Sequence, residues 1–191
     1  MRENYLFVVN PIAGNGNRQA FMKAFKSWQG QTKHLFNVYE TTGQNDSESI
    51  EDLLLQNSYT ALAAVGGDGT LLLVAKLARV HHCKLALFPQ GSANGMAAEL
   101  QLPEDPSEQF KILERNKTMP CDMLLFNKEH WGLHISDMGI NAAMVKEYEA
   151  SDSRGFLGYG QGLLKALPNF EEFEVAITIE GITKYHTCVM L

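Results

Sequence analysis

Ala61-Leu62-Ala63-Ala64-Val65-Gly66-Gly67-Asp68-Gly69-Thr70, followed by Leu71 to Val80, joins a short apolar run to a longer one through a turn with three glycines. An apolar run of strand length, a glycine turn and an apolar stretch of helix length read as buried strand, loop and helix. Lacking a Cβ, Gly66, Gly67 and Gly69 tolerate positive φ and let a ligand approach the backbone. Thr70 is placed as N-cap of the following helix, whose free amides and positive dipole end would face an anion over the loop. Asp68 projects into the same space, and a carboxylate there has two natural uses: a magnesium ion, or a hydroxyl giving up its proton. A tight turn in which Asp68 only caps local amides would use the same residues, so the neighbouring turns carry the distinction.

Upstream, Tyr5 to Val9 is a continuous apolar, β-rich run, as in a strand covered on both faces. Asn10-Pro11-Ile12-Ala13-Gly14-Asn15-Gly16-Asn17 breaks it, and Arg18 to Trp28 carries Phe21, Ala24, Phe25 and Trp28 at helical spacing. Leu35 to Tyr39 is a short strand ending at Glu40-Thr41-Thr42-Gly43, after which Asp46 or Ser47 caps a helix with Ile50, Leu53, Leu54 and Leu55. Downstream, Lys84 to Phe88 leads through Pro89-Gln90-Gly91-Ser92-Ala93-Asn94-Gly95 into a short helical run, Met96 to Leu100.

Four successive strand-loop-helix units imply an α/β fold, a parallel sheet with helices on both faces. Right-handed crossovers bring every strand's carboxyl end to one edge, where open parallel sheets bind ligands. Asn10, Gly14, Thr41, Asp68, Thr70, Ser92 and Asn94 then share one crevice.

After a break at Leu102-Pro103-Glu104-Asp105-Pro106, Glu108 to Arg115 reads as a helix with Phe110 and Leu113 turned inward. From Cys121 the pattern becomes strand after strand: Met123 to Phe126, Trp131 to Ile135, Glu174 to Ile179 and Tyr185 to Leu191, with a hairpin turn at Glu180-Gly181. Arg154 to Leu167 reads as a glycine-weakened helix. A boundary near Met119 gives residues 1–119 as an α/β nucleotide-binding domain and residues 120–191 as an incomplete, antiparallel β-rich domain.

The chain has 191 residues, 45% of them hydrophobic, and a formal charge of −6, which supports a packed core and argues against nucleic acid as partner. Cys83, Cys121 and Cys188 are few, scattered and odd in number, as expected of reduced thiols in a cytoplasmic protein. No stretch approaches the length of a membrane span. Adjacent His81, His82 and Cys83 do not converge on one ion, and neither a Gly-x-Gly-x-x-Gly after the first strand nor a P-loop is present.

Asn10-Pro11-x-x-Gly14, Gly66-Gly67-Asp68-Gly69-Thr70 and Pro89-x-Gly91-Ser92-x-Asn94, in that order on consecutive strand ends, resemble the diacylglycerol kinase catalytic-domain family, which includes bacterial lipid kinases and sphingosine kinases. Asp122, Gly139-Ile140-Asn141-Ala142 and Arg154-Gly155-Phe156-Leu157-x-Tyr159 extend the likeness into the second domain. The resemblance implies ATP and magnesium, transfer of the γ-phosphoryl group to a lipid hydroxyl such as that of diacylglycerol at a membrane surface, and a nucleotide held by Asn10, Pro11, Gly14, Thr41, Gly66 to Thr70, Ser92 and Asn94. Asp68 is the candidate catalytic residue.

The sequence departs from the family pattern at Leu72 and Leu73, where Asn and Glu are usual, and at Gly95 and Asn141, where Asp is common. Ser92 replaces the more usual Thr and keeps a hydroxyl. The sequence stops at Leu191 within what the family completes as a β-sandwich, which reads as a fragment, catalytically silent alone and prone to self-association through its open strand edge. A regulatory nucleotide-binding module without catalysis, favoured by Leu72 and Leu73, and an enzyme like NAD kinase, which shares a Gly-Gly-Asp-Gly turn, are the alternatives.

Overall fold

The computed structural model describes residues 2–13, 18–140, 142, 143 and 172–191. Gly14, Asn141 and the Arg154 to Leu167 segment with its Arg154-Gly155-Phe156-Leu157-x-Tyr159 motif lie outside them. The chain forms two compact units, Met1–His134 and Ile135–Leu191.

The first unit runs β1 (Asn4–Val9), α1 (Arg18–Gln29), β2 (Leu35–Glu40), α2 (Asp46–Gln56), β3 (Ala61–Gly66), α3 (Asp68–Val80), β4 (Lys84–Pro89), α4 (Gly95–Glu99), α5 (Pro106–Arg115), β5 (Leu124–Phe126) and β6 (His130–Gly132). The four long strands form a parallel sheet in the order β2-β1-β3-β4. The central strands β1 and β3 are buried almost throughout, which is why their sequences are unbroken apolar runs.

Alternation along those strands divides the core in two. Tyr5, Phe7, Val9, Ala61, Ala63 and Val65 face Phe21, Ala24, Phe25 and Trp28 of α1 and Phe110 of α5. Leu6, Val8, Leu62 and Ala64 face Ile50 and Leu54 of α2 and Leu71, Val74, Leu77 and Ala78 of α3. The first side is aromatic: Phe7 and Phe25 lie 5.0 Å apart, Phe88 and Phe110 4.6 Å. Truncating Phe7, fully buried at its centre, to alanine should cost about 3–5 kcal/mol. Because α1 covers one face and α2 and α3 the other, the chain changes direction between β1 and β3, the place where such sheets open a crevice at their carboxyl edge.

At the opposite edge, Glu3 is 3% exposed and accepts hydrogen bonds from Lys84 Nζ at 2.7 Å and Asn116 Nδ2 at 2.8 Å, and from the Thr60 hydroxyl. Lys84 first, then Thr60, hold its carboxyl down to about 2, against the burial that opposes ionisation.

The β5–β6 hairpin belongs to this unit, so the change of texture near Met119 is not where the contacts divide. Local patterning marks the switch to strands, but the hairpin's attachments are long-range: the Arg79 guanidinium lies 5.3 Å over the Trp131 ring, and Leu133 packs against the core face of α2 and α3.

In the second unit β7 (Phe173–Ile179) and β8 (Ile182–Cys188) pair antiparallel about Glu180-Gly181. Both turn residues have positive φ, 51° and 81°, the two-residue turn whose twist matches the strands and which favours glycine at its second position. Met190 bridges to Gly139, so the last strand read from the sequence ends at Cys188 and resumes as a single bridge.

Candidate active site

Loops from all four parallel strands leave the same edge. The Thr41 amide donates to Val9 O at 2.9 Å, Asn10 N to Val65 O at 2.9 Å and Gln90 N to Gly66 O at 2.8 Å, so each loop starts against its neighbour's strand end. The loop that follows Thr41 is held at one side of the edge by Asp46, whose carboxylate accepts the Thr42 and Gly43 amides, both at 2.8 Å, and the Tyr39 hydroxyl. Burial opposes its charge, yet those donors keep the Asp46 carboxyl below its ordinary range. Neither Asp46 nor Ser47 caps α2: Asn45, at φ 53°, is the N-cap, and Asp46 opens the helix because its side chain is committed to the loop before it.

Thr70 is likewise not an N-cap. Gly67 holds that position, its carbonyl accepting the Leu71 amide at 3.0 Å, and Asp68, Gly69 and Thr70 form the first helical residues. No side chain caps this end, so the first amides of α3 point outward uncapped. Thr70, 8% exposed, turns its hydroxyl back to the strand end, where Asn10 Nδ2 donates to it at 3.4 Å. Asn10 also shapes its own loop, its side-chain oxygen accepting the Ile12 amide at 3.1 Å. The Pro11 carbonyl accepts from the Arg18 guanidinium, tying the loop to the start of α1.

The glycines of the turn do not have positive φ; among the described glycines only Gly43, Gly139 and Gly181 do. Their reason is space. A Cβ on Gly66 would collide with the Thr70 side chain, and a Cβ on Gly91 would stand 2.5 Å from Gly67 Cα. Gly69 differs, since a Cβ there would meet nothing within 4 Å. The protein itself has no packing need for glycine at 69; a ligand approaching the first turn would.

The loop after β4 is closed by Asn94, at φ 50°, whose side chain accepts from Gly91 N at 2.8 Å and donates to Gly91 O at 2.6 Å. Both ends of the Asn94 amide therefore serve the loop, while Ser92 at its tip is exposed. Asp68, exposed on α3, accepts the Gly95 amide at 3.2 Å and so joins the start of α3 to the start of α4.

Three ties thus join the loops after β1, β3 and β4: Asn10 with Thr70, Gly67 with Gly91, and Asp68 with Gly95. Residues 4–126 match the family described as Diacylglycerol kinase catalytic domain. The chain belongs to that family. It is 26% identical over 163 residues to "Probable lipid kinase YegS-like" of Alcanivorax borkumensis, covering 84% of this chain and 53% of that one. It is 30% identical over 141 residues to the protein of that name in Pseudomonas aeruginosa, covering 73% and 46%. The chain spans about half the length of these curated relatives. A crystal structure described as a diacylglycerol kinase from Bacillus anthracis matches its fold with a TM-score of 0.69 at 24% identity, over 98% of this chain and 62% of that one.

Within this family's pattern the two leucines after the Gly-Gly-Asp-Gly-Thr motif have different surroundings. Leu73 packs against the α2 and α3 core and Leu72 is half-buried, so neither restores a polar group to the crevice. Position 95 is more informative. A Cβ on Gly95 would come 3.0 Å from His134 Nδ1 and 3.9 Å from Asp68 Oδ1. His134 went unnoticed in the sequence because nothing local marks it; the one signal was a glycine where the family commonly has Asp.

The carboxylate present suits a magnesium ion held largely by nucleotide phosphates, since such ions keep most ligands from water and phosphate and need one or two protein carboxylates. Among the described residues no group of three or more His, Cys, Asp or Glu could hold a metal by itself.

Proposed function

We propose that the protein transfers the γ-phosphoryl group of ATP to a lipid hydroxyl, such as that of diacylglycerol, at a membrane surface. The observation that carries this reading is the knot of three loops around the uncapped first turn of α3. Phosphoryl transfer asks chiefly for positioning and neutralisation of charge. Uncapped amides, open space over Gly69 and the Asp68 carboxylate supply parts of both. Asn10 and Thr70 set the wall of the crevice, Gly66, Gly67, Gly91 and Asn94 its shape, and Thr41, Pro11 and Ser92 line its approaches. When bound, magnesium would neutralise phosphate charge. Asp68 would orient it or take the acceptor's proton.

The rival reading, a regulatory module that binds nucleotide without turnover, draws on Leu72 and Leu73. One assay separates the two: labelled ATP and magnesium with a panel of diacylglycerol, sphingosine and monoacylglycerol vesicles, alongside equilibrium binding of ATP. A labelled lipid supports the kinase; ATP binding with no labelled lipid supports the module; no ATP binding contradicts both. Self-association is assigned to the β7–β8 hairpin, where Ile179, Ile182 and Tyr185 are 68%, 67% and 77% exposed, and light scattering that stays monomeric at high concentration would refute it.

A further inference from the structure

We propose that Arg18 is a nucleotide-binding residue of this crevice, the cation that meets the phosphates; the proposal rests on the ATP reading above. Across the loops that leave the carboxyl edge of the sheet, residues 10–18, 40–46, 66–70 and 89–95, Arg18 is the one Lys, Arg or His, against the carboxylates of Glu40, Asp46 and Asp68. A triphosphate taken up there adds negative charge to an edge that is already acidic, and with magnesium bound the nucleotide is still an anion. A guanidinium answers that charge with a planar fork of donors suited to phosphate oxygens.

The topology places this cation. Strands β1 and β3 are neighbours, yet α1 covers one face of the sheet and α3 the other, so the starts of the two helices flank the crevice from opposite sides. Arg18 opens α1 and Asp68 opens α3. The Arg18 side chain lines a small hollow with Asn10, Ala13, Val65 and Gln90, at the ends of β1, β3 and β4. Asn10 is also the residue that touches Thr70 in the first turn of α3. A phosphate chain lying across Asn10 would meet the guanidinium on one side and the uncapped α3 amides on the other.

The fold itself makes little use of Arg18. Its half-exposed guanidinium donates to the Pro11 carbonyl, and its one carboxylate partner among the described residues, Glu40, is 3.7 Å away and itself exposed, a pair that adds little to stability. A cation in the first turn also opposes the helix dipole, and α1 has no acidic residue in that turn to offset it. The Pro11 contact holds the guanidinium over the loop and leaves the remaining donors of the fork for phosphate.

The test titrates ATP with magnesium into wild type, Arg18→Gln, Arg18→Lys and Glu40→Gln by calorimetry. Kd for ATP should rise at least about tenfold in Arg18→Gln, the low end for losing a charge-assisted hydrogen bond, and by less in Arg18→Lys, which keeps the charge without the fork. Added salt should narrow the gap between wild type and Arg18→Gln, because screening weakens an exposed ionic contact. Glu40→Gln should bind ATP at least as tightly as wild type, since it removes a competing carboxylate and leaves Arg18 in place. Arg18→Gln within about threefold of wild type overturns the proposal. So does a Glu40→Gln variant weakened as much as Arg18→Gln, which would show that Arg18 acts only by holding the end of β2. Wild-type protein that binds no ATP overturns the nucleotide reading itself, and shows before any variant is compared.

Discussion

Gly67 and Gly91 stand back to back where the loops after β3 and β4 meet, so close that a Cβ on Gly91 would lie 2.5 Å from the Gly67 Cα. The contact is backbone against backbone and has no flexible side chain to yield. Gly91→Ala should therefore destabilise the fold by about 1–3 kcal/mol, the range for forced overpacking, and weaken ATP binding by displacing both loops. Urea denaturation and equilibrium binding measure the two; a variant of wild-type stability would show that the loops adjust freely.

Gly69 tests the opposite case. A Cβ there meets no protein atom within 4 Å, and its backbone is already helical, so Gly69→Ala should leave stability unchanged or raise it by up to about 1 kcal/mol. If nucleotide phosphate approaches the first turn of α3, the same methyl should weaken ATP binding at least about tenfold. Unimpaired binding would move the phosphates elsewhere.

Asp68→Asn keeps size and polarity and removes charge. Turnover should fall by at least about 100-fold with a smaller change in ATP affinity, measured by transfer to lipid beside equilibrium binding. Near-normal turnover would reduce Asp68 to the tie it makes with the Gly95 amide.

At the far end of the sheet, Glu3 makes stability depend on pH. Its carboxyl is held at about 2 against an ordinary 4.5, Lys84 being the largest cause. A carboxyl whose folded value is depressed stabilises fully above the unfolded value and loses that contribution as pH falls through the folded one. The window runs from about 4.5 down to about 2, and the shift corresponds to roughly 3 kcal/mol. Glu3→Gln should be destabilised by about that amount at neutral pH, with the gap from wild type closing across this window in urea melts. A gap independent of pH would assign the loss to packing.

Much of this was legible because the deciding signals are local. The apolar runs Tyr5 to Val9 and Ala61 to Val65 are buried on both faces, and the helical spacing of Phe21, Ala24, Phe25 and Trp28 marks the face α1 buries. What stayed hidden depends on partners far along the chain. Thr70 looks like a cap from its own neighbours, but it faces Asn10, 60 residues earlier. Gly91 looks like a turn glycine, yet its need is set by Gly67. The β5–β6 hairpin has the texture of a second domain and the contacts of the first, because Arg79 and the α3 core hold Trp131 and Leu133. His134 reaches Gly95 only once that hairpin is in place.

Amide hydrogen exchange with and without ATP and magnesium tests the shared crevice most directly. Peptides covering Asn10 to Ala13, Gly67 to Leu71 and Gly91 to Gly95 should gain protection together at one ATP concentration, because the ties from Asn10 to Thr70, Gly67 to Gly91 and Asp68 to Gly95 join the three loops at one edge of the sheet. Protection confined to one of the three loops would contradict it.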